Sequence, residues 1–391
     1  MSKPVRVLYS FPNRLGAQRI CYAAWQQING LVRAGAKVHA MAASFERPLP
    51  AGARADATLT WGKLKLPFKL LGHARTLALH DRIVASRLKR MAGQVDIIHL
   101  WPMGALHTLR VAKAMKIPTI LERPNAHTKF AYEVVEQECK RLGITMPPGH
   151  EHAYNEKYLR HEEAEYALAD RLLCPSDFVK QTFLDLGFPN EQLARHQYGF
   201  DEKFCHANGR SKEAKPGLTV LFAGGCAPRK GLHYALEAWL KSSAHKNGKF
   251  LILGEFIPGY AELLQPMLSH PSVQRLGWRK DYPSVMRESD ILVLPSIEEG
   301  SALVTSDGRG CGCVLLVSDA AGAICQHGVN ALVHRPRDVE TLAKHLSQLH
   351  EDRALLEKLR TTSLSTVDEL TWNTAGERLF QVYQDTLAAR R

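Results

Sequence analysis

Apolar residues along this chain fall into two kinds of run, and their alternation predicts the fold. Val5–Ser10, Lys37–Ala43, Val95–Leu100, Ile117–Leu121 and Arg171–Pro175 are short apolar stretches of the kind that form buried parallel strands. Between them, Ile20–Ala34, Met103–Met115, Tyr154–Ala169 and 177–186 read as helices. The first of these shows the helical spacing in Ile20, Ala23, Ala24, Ile28, Leu31 and Val32 and ends at Gly35, and Ser176 is placed to cap the last. The second half repeats the alternation, with strands at 218–223, 250–253, 273–276, 291–294, 313–317 and 331–333. Helices over Leu232–Leu240, 338–350, 352–362 and 377–387 are interleaved with them or follow them. This order predicts an α/β protein with doubly wound sheets. Val134–Arg141 reads as helical, and Gly143–Gly149, with Pro147 and Pro148, reads as a loop. The polar stretch 206–216 reads as a linker between a domain over 1–205 and another over 217–372.

Length agrees with two domains, since 391 residues exceed one ordinary core. The eight cysteines are scattered without a Cys-x-x-Cys pair, which favours reduced core residues over a metal site. His150, His152 and His161 do not give a metal-binding face either, so no metal is expected. The absence of a long apolar run or an N-terminal hydrophobic block leads to the expectation of a cytoplasmic chain. The net charge of +12 is concentrated in residues 1–200, which hold 28 Lys and Arg against 17 Asp and Glu. Its densest part is 60–90, where Lys63, Lys65, Lys69, Arg75, Arg82, Arg87, Lys89 and Arg90 face Asp81 alone, with Trp61, Leu64, Leu66, Phe68, Leu70 and Leu71 among them. Two readings of this segment stand: peripheral contact with an anionic membrane surface, or a helix with a solvated basic face. No nucleic-acid motif accompanies the charge.

Two loops carry the chemistry. After the strand 218–223 comes Gly224-Gly-Cys-Ala-Pro-Arg-Lys-Gly231, whose Arg229 and Lys230 suit a diphosphate: the guanidinium grips two oxygens and the ammonium adds a point charge. After 291–295 comes Glu298-Glu299-Gly300 and then a short helix, whose first amides, after Gly300 at Ser301, Ala302 and Leu303, are suited to an anion. Glu299 and Asp307 lie eight residues apart, about two helical turns, so both can face one crevice and accept hydrogen bonds from sugar hydroxyls. Solvated surface residues would show the same spacing. The first βα loop contains Gly16 and lacks the dinucleotide fingerprint.

Together these landmarks resemble the nucleotide-sugar-dependent glycosyltransferases of family 4. They are Phe222–Gly231, Gly254, Val273–Gly277, Ser289–Ser296 and Glu299-Gly300, in order over about 120 residues. The resemblance implies the GT-B fold, two Rossmann-like domains facing a central cleft, with a final helix over 373–391 returning to the first domain. It implies a retaining transfer of a hexose-type sugar from a nucleoside-diphosphate sugar, without a protein nucleophile, a metal or any cofactor beyond that co-substrate. The acceptor class it implies is a lipid-linked glycan, another glycan or a small molecule, as in cell-envelope polysaccharide synthesis. Within that pattern Glu299 meets the hexose and Asp307 stands where the family has a ribose-binding glutamate, with Gly308 and Arg309 where Ala and an apolar residue are usual. Arg229, Lys230, Gly224 and Gly300 hold the diphosphate, and Gly277, Trp278 and Arg279 meet the base. His127 lies near the anomeric carbon, with Glu122 and Arg123 shaping the pocket, and Gly16 approaches both substrates. A sugar-nucleotide epimerase on the same fold and a catalytically impaired binding protein are the other readings, the latter suggested by Asp307 and Gly308.

Overall fold

A computed structural model describes residues 3–61, 64–65, 72–211 and 216–389. The chain divides into two compact units: Met1–Thr128 with Asn155–Gly199 and Trp372–Arg391, and Lys129–Tyr154 with Phe200–Thr371.

The first unit is built on a parallel sheet of seven strands: β1 (Arg6–Leu15), β2 (Lys37–Phe45), β3 (Arg54–Ala57), β6 (Ile97–Leu100), β7 (Thr119–Glu122), β8 (Arg171–Cys174) and β9 (Leu193–Arg195). β4 (Thr60–Trp61) and β5 (Leu64–Lys65) form a separate antiparallel pair. The sheet order is β3-β2-β1-β6-β7-β8-β9, so it winds outward in both directions from β1. Central strands such as Ile97–Leu100 are buried along their whole length, because helices cover both faces. The helix Trp372–Ala388 packs on the helix Ile20–Arg33 at a glycine pair: a Cβ on Gly30 would lie 2.6 Å from the Cα of Gly376. The Tyr383 hydroxyl of that last helix meets His99 Nδ1 at 2.6 Å beneath the sheet.

Within the basic stretch, His73–Lys89 is a helix whose inner face is Thr76, Leu77, His80, Asp81, Val84, Ala85 and Leu88. Asp81 is buried and accepts from the His107 and Thr108 amides at 2.6 and 2.9 Å, so it caps the start of the helix Leu106–Ala114. Arg75, Arg82, Lys89 and Arg90 remain exposed. Lys63, Leu66, Phe68, Lys69, Leu70 and Leu71 lie outside the described residues.

The second unit has six parallel strands: β10 (Thr219–Ala223), β11 (Lys249–Leu253), β12 (Val273–Arg275), β13 (Ile291–Leu294), β14 (Val314–Ser318) and β15 (Ala331–His334). Their order is β12-β11-β10-β13-β14-β15. The order reverses between β10 and β13, which pair at Val220 and Ile291, and a ligand crevice belongs beyond the carboxyl ends of these two strands. Phe222, Trp239, Phe250, Leu292 and Leu315, all fully buried, form the core beneath.

The boundary expected at the 206–216 linker is not where the chain divides. Phe200 begins the second unit, where its amide donates to the Leu370 carbonyl at 3.0 Å. Lys129–Tyr154, expected within the first domain, groups with the second, where its Glu138 meets three side chains from the rest of that unit beside its own Arg141. The Glu138 carboxylate is bonded by His233 Nε2 (3.0 Å), the Tyr234 hydroxyl (2.7 Å), Arg141 Nη2 (2.7 Å) and Arg337 Nε (2.8 Å). Burial would raise this carboxyl, but bonds from His233, Arg337, Tyr234 and Arg141 outweigh burial and hold it well below the usual range. Among the described residues no helix is long and apolar enough to cross a membrane.

Candidate functional site

The crevice at the reversal of the second sheet gathers the charged residues of both loops. Gly224 follows β10, and its amide donates to the Leu253 carbonyl at 2.9 Å, which turns the chain over the sheet edge. Pro228–Lys230 form one turn of 3₁₀ helix and Gly231 opens the helix Leu232–Lys241. Gly231 has φ +70°, and a Cβ there would collide with the Pro295 carbonyl oxygen, so only glycine lets this loop lie against the end of β13. The Arg229 carbonyl accepts from the Ile297 amide at 2.8 Å, tying the two loops together through backbone.

Side chains complete the join. Arg229 Nη1 reaches the Glu298 carbonyl at 2.9 Å, Glu298 Oε2 at 3.3 Å and Glu299 Oε1 at 3.0 Å. Lys230 Nζ pairs with the same Glu299 oxygen. Both carboxylates are almost wholly buried, at 0% and 5% exposure, so two anions depend on two cations in a largely water-free place. Burial, followed by the neighbouring Arg229, pushes the Lys230 ammonium well below its ordinary value, against the pull of Glu298 and Glu151. The fully buried Ser296 hydroxyl, just beyond Pro295, has no hydrogen-bond partner.

Of the expected base and ribose contacts, Gly277 accepts from the Gly254 amide at 3.0 Å, and the Trp278 amide donates to Glu255 Oε1 at 3.1 Å. The Trp278 ring is 56% exposed, and Arg279 is paired at the surface with Asp281. The short helix is Leu303–Gly310, preceded by half-buried Ser301; the Ala302 amide is already used, donating to the Ala321 carbonyl at 3.2 Å. Asp307 points to Tyr282, whose hydroxyl donates to Oδ2 at 3.2 Å. Burial raises the Asp307 carboxyl to about 6, with the Cys205 thiol and Tyr282 opposing it. Gly308 lets the helix approach the sheet, since a Cβ there would lie 2.6 Å from Leu292 Cδ2. Arg309 is 2% exposed and holds Ser363, Thr366 and the Ile324 carbonyl, so it braces the fold.

The remaining candidates belong to the first unit. Gly16 follows β1 with φ +83°, and its carbonyl accepts from Arg47 Nε at 2.9 Å. Glu122 ends β7 fully buried, bonded by Gln27 Nε2 (2.9 Å) and the Tyr198 hydroxyl (2.8 Å), with His196 Nε2 at 2.9 Å and His99 Nε2 at 3.3 Å. Burial would raise it, but the His196 and His99 imidazoles outweigh burial and hold this carboxyl far below the usual range. Arg123 is equally buried, bonding Glu162 at 2.7 Å with its guanidinium 4.6 Å from the Tyr166 ring centre. His127, 2% exposed, sits among Tyr166, Phe183 and Phe188 at centroid distances of 5.2, 4.9 and 5.5 Å. Glu122 and Arg123 are thus packed among partners of their own unit, and His127 has an aromatic setting.

Residues unexpected from the linear sequence complete the second-unit site. Glu298 is the most buried carboxylate there, Tyr282 holds Asp307, and His152 Nε2 lies 3.4 Å from Glu298 Oε2. Tyr282 and His152 are separated from the motifs they touch by 25 and 146 residues, so no local pattern points to them. Among the described residues no group of three or more His, Cys, Asp or Glu is arranged to hold a metal ion.

Two family models match the chain: Glycosyltransferase Family 4 over residues 23–203 and Glycosyl transferases group 1 over residues 217–352. A D-inositol 3-phosphate glycosyltransferase of Streptomyces bingchenggensis is 25% identical over 339 residues, 76% of this chain and 68% of that protein. An N,N'-diacetylbacillosaminyl-diphospho-undecaprenol alpha-1,3-N-acetylgalactosaminyltransferase of Campylobacter jejuni is 26% identical over 118 residues, 30% of this chain and 31% of its own length. The matches to that protein and to two other curated relatives span only 16–31% of their lengths. Among solved structures, Anabaena Alr3699/HepE in complex with UDP superposes with a TM-score of 0.65 at 14% identity, over 97% of this chain and 100% of that one. The lipopolysaccharide outer core galactosyltransferase WaaB superposes with a TM-score of 0.68 at 12% identity, over 99% and 100%. These superpositions carry the fold.

Proposed function

The chain belongs to the GT-B glycosyltransferases of the family 4 and group 1 type, and from that premise we propose that it moves a hexose-type sugar from a nucleoside-diphosphate sugar to an acceptor, with retention at the anomeric carbon. The observation that carries this reading is the Arg229, Lys230, Glu298 and Glu299 cluster at the sheet reversal of the second unit. A departing nucleoside diphosphate gains charge as the glycosidic bond breaks. Arg229 and Lys230, fixed before the substrate arrives, stabilise that charge in a site of low water content. Among the described residues the Arg229 side chain makes its contacts through Nη1, which leaves Nη2 and Nε for paired phosphate oxygens. Glu299 accepts from sugar hydroxyls and Asp307, turned by Tyr282, from the ribose.

Curated relatives named for transfer to diphospho-undecaprenol sugars support a lipid-linked acceptor. An acceptor of that kind fits a cytoplasmic enzyme resting on the membrane surface. The exposed cations Arg75, Arg82, Lys89 and Arg90, whose only acidic neighbour in the segment is buried, favour such contact.

The test is a calorimetric and hydrolysis screen against UDP-, GDP- and ADP-sugars, with the free diphosphates as controls. One diphosphate is expected to bind, with affinity lost in Lys230→Ala and slow hydrolysis of the matching sugar nucleotide. Absence of binding by all three overturns the transferase reading in favour of a binding protein.

A further inference from the structure

The segment Lys129–Tyr154, joined to the rest of its unit at Glu138, reaches the candidate donor site at its far end. At its far end the turn is closed by the His150 amide on the Pro147 carbonyl (3.0 Å) and the Ala153 amide on the His150 carbonyl (2.9 Å). The His152 amide donates to His150 Nδ1 at 3.1 Å, which fixes the two rings side by side at 5.6 Å. His152 is thereby held at 5% exposure with Nε2 3.4 Å from Glu298 Oε2, the same oxygen that Arg229 Nη1 approaches at 3.3 Å. Its Nδ1 is buried without a hydrogen-bond partner, 3.6 Å from the exposed carboxylate of Glu151.

Glu298 is thus a fully buried carboxylate approached by an imidazole and a guanidinium from distant parts of the chain. If Arg229 were its only partner, Coulomb attraction in a dry site would draw the guanidinium fully onto it, and fewer N–H groups would face a phosphate. A second partner divides that attraction. Resting on the donor-site reading above, we propose that His152 is a positioning residue for nucleoside-diphosphate binding: it holds Glu298 so that Arg229 keeps its outer N–H groups on the diphosphate. The anchors at Glu138 and at the Pro147–Ala153 turn keep the imidazole in place. The segment Lys129–Tyr154 is therefore a structural part of the donor site.

The test measures binding of UDP, GDP and ADP by calorimetry in the parent protein, His152→Ala, His152→Gln, Glu298→Gln and the His152→Ala/Glu298→Gln double variant, with thermal unfolding of each. The diphosphate that the parent binds is expected to bind about tenfold more weakly to His152→Ala, the size expected when a buried carboxylate loses one close polar partner. His152→Gln, whose amide can donate from nearly the same position, is expected to recover most of that loss. In the double variant, replacing His152 should add nothing to the effect of Glu298→Gln. Unchanged affinity in His152→Ala, fully additive losses, or weakening that merely follows a lowered unfolding temperature in every variant would overturn the proposal while leaving the donor site standing. A parent protein that binds none of the three diphosphates overturns both.

Discussion

Lys230 shows how one residue can be costly to the fold and central to the chemistry. Burial and the neighbouring Arg229 oppose the charge on this ammonium, Glu298 and Glu151 favour it, and its removal leaves the buried Glu299 dependent on Arg229. Lys230→Ala and Glu299→Ala are each expected to lower transfer by about 10²–10³-fold, as removal of a preorganised charge partner does, measured as kcat/KM with the identified donor. Near-parent rates in both would remove the site assignment. Asp307 is expected to give the pH signature. Its folded value of about 6 lies above the ordinary 3.8, so folding favours the protonated form. The resulting cost is absent below the unfolded value, grows between these two values and is complete above about 6. Asp307→Asn should therefore stabilise the protein by about 1–2 kcal/mol at pH 7, after allowance for partial exposure, and by little at pH 4. Unfolding midpoints at both values check this; an equal shift at each would assign Asp307 another environment. Arg229, Lys230 and Glu299 were legible in the sequence because loop, charge and order repeat a family pattern. His152 and Tyr282 were not, since each acts on a residue far along the chain. His127 was legible as a position, but its aromatic surroundings come from Tyr166, Phe183 and Phe188 on other elements.

At the level of elements, the strands were the most readable part, because a strand buried on both faces is a continuous apolar run, as in Ile291–Leu294. β3 was missed for the opposite reason: Arg54-Ala-Asp-Ala57 is an edge strand with half-exposed or exposed positions throughout. Pro266 hides the helix Tyr260–Leu268 from a helical pattern, although a helix tolerates it there beside a solvent-facing turn. The joint between β10 and its helix depends on Gly231. Gly231→Ala is expected to cost about 2–4 kcal/mol, combining a left-handed backbone with a backbone collision, and to weaken nucleotide binding in step. Circular dichroism melts together with calorimetry would show it. A stable variant with parent affinity would mean that the loop has room the packing denies it.

At the scale of the whole chain, charge and connectivity matter most. The excess of cations in the first 200 residues has a defined outlet on the helix His73–Lys89, where the one acidic neighbour points inward as a cap. Replacing Arg82, Lys89 and Arg90 together by Glu is expected to reduce sedimentation with vesicles rich in anionic phospholipid by more than tenfold, since each basic residue near such a surface contributes about 1 kcal/mol. Raising salt should have the same effect on the parent protein. Equal sedimentation of both proteins would make this face an ordinary solvated one. Connectivity has a further consequence. The Gly30–Gly376 contact places the helix Trp372–Ala388 against the helix Ile20–Arg33, so the first unit draws on segments far apart in the chain. On the ribosome, the helix Ile20–Arg33 emerges several hundred residues before its partner Trp372–Ala388 exists, and its glycine face waits uncovered until then. The second unit, whose last residue is Thr371, has all its pieces sooner. The half encoded first is therefore the half completed last.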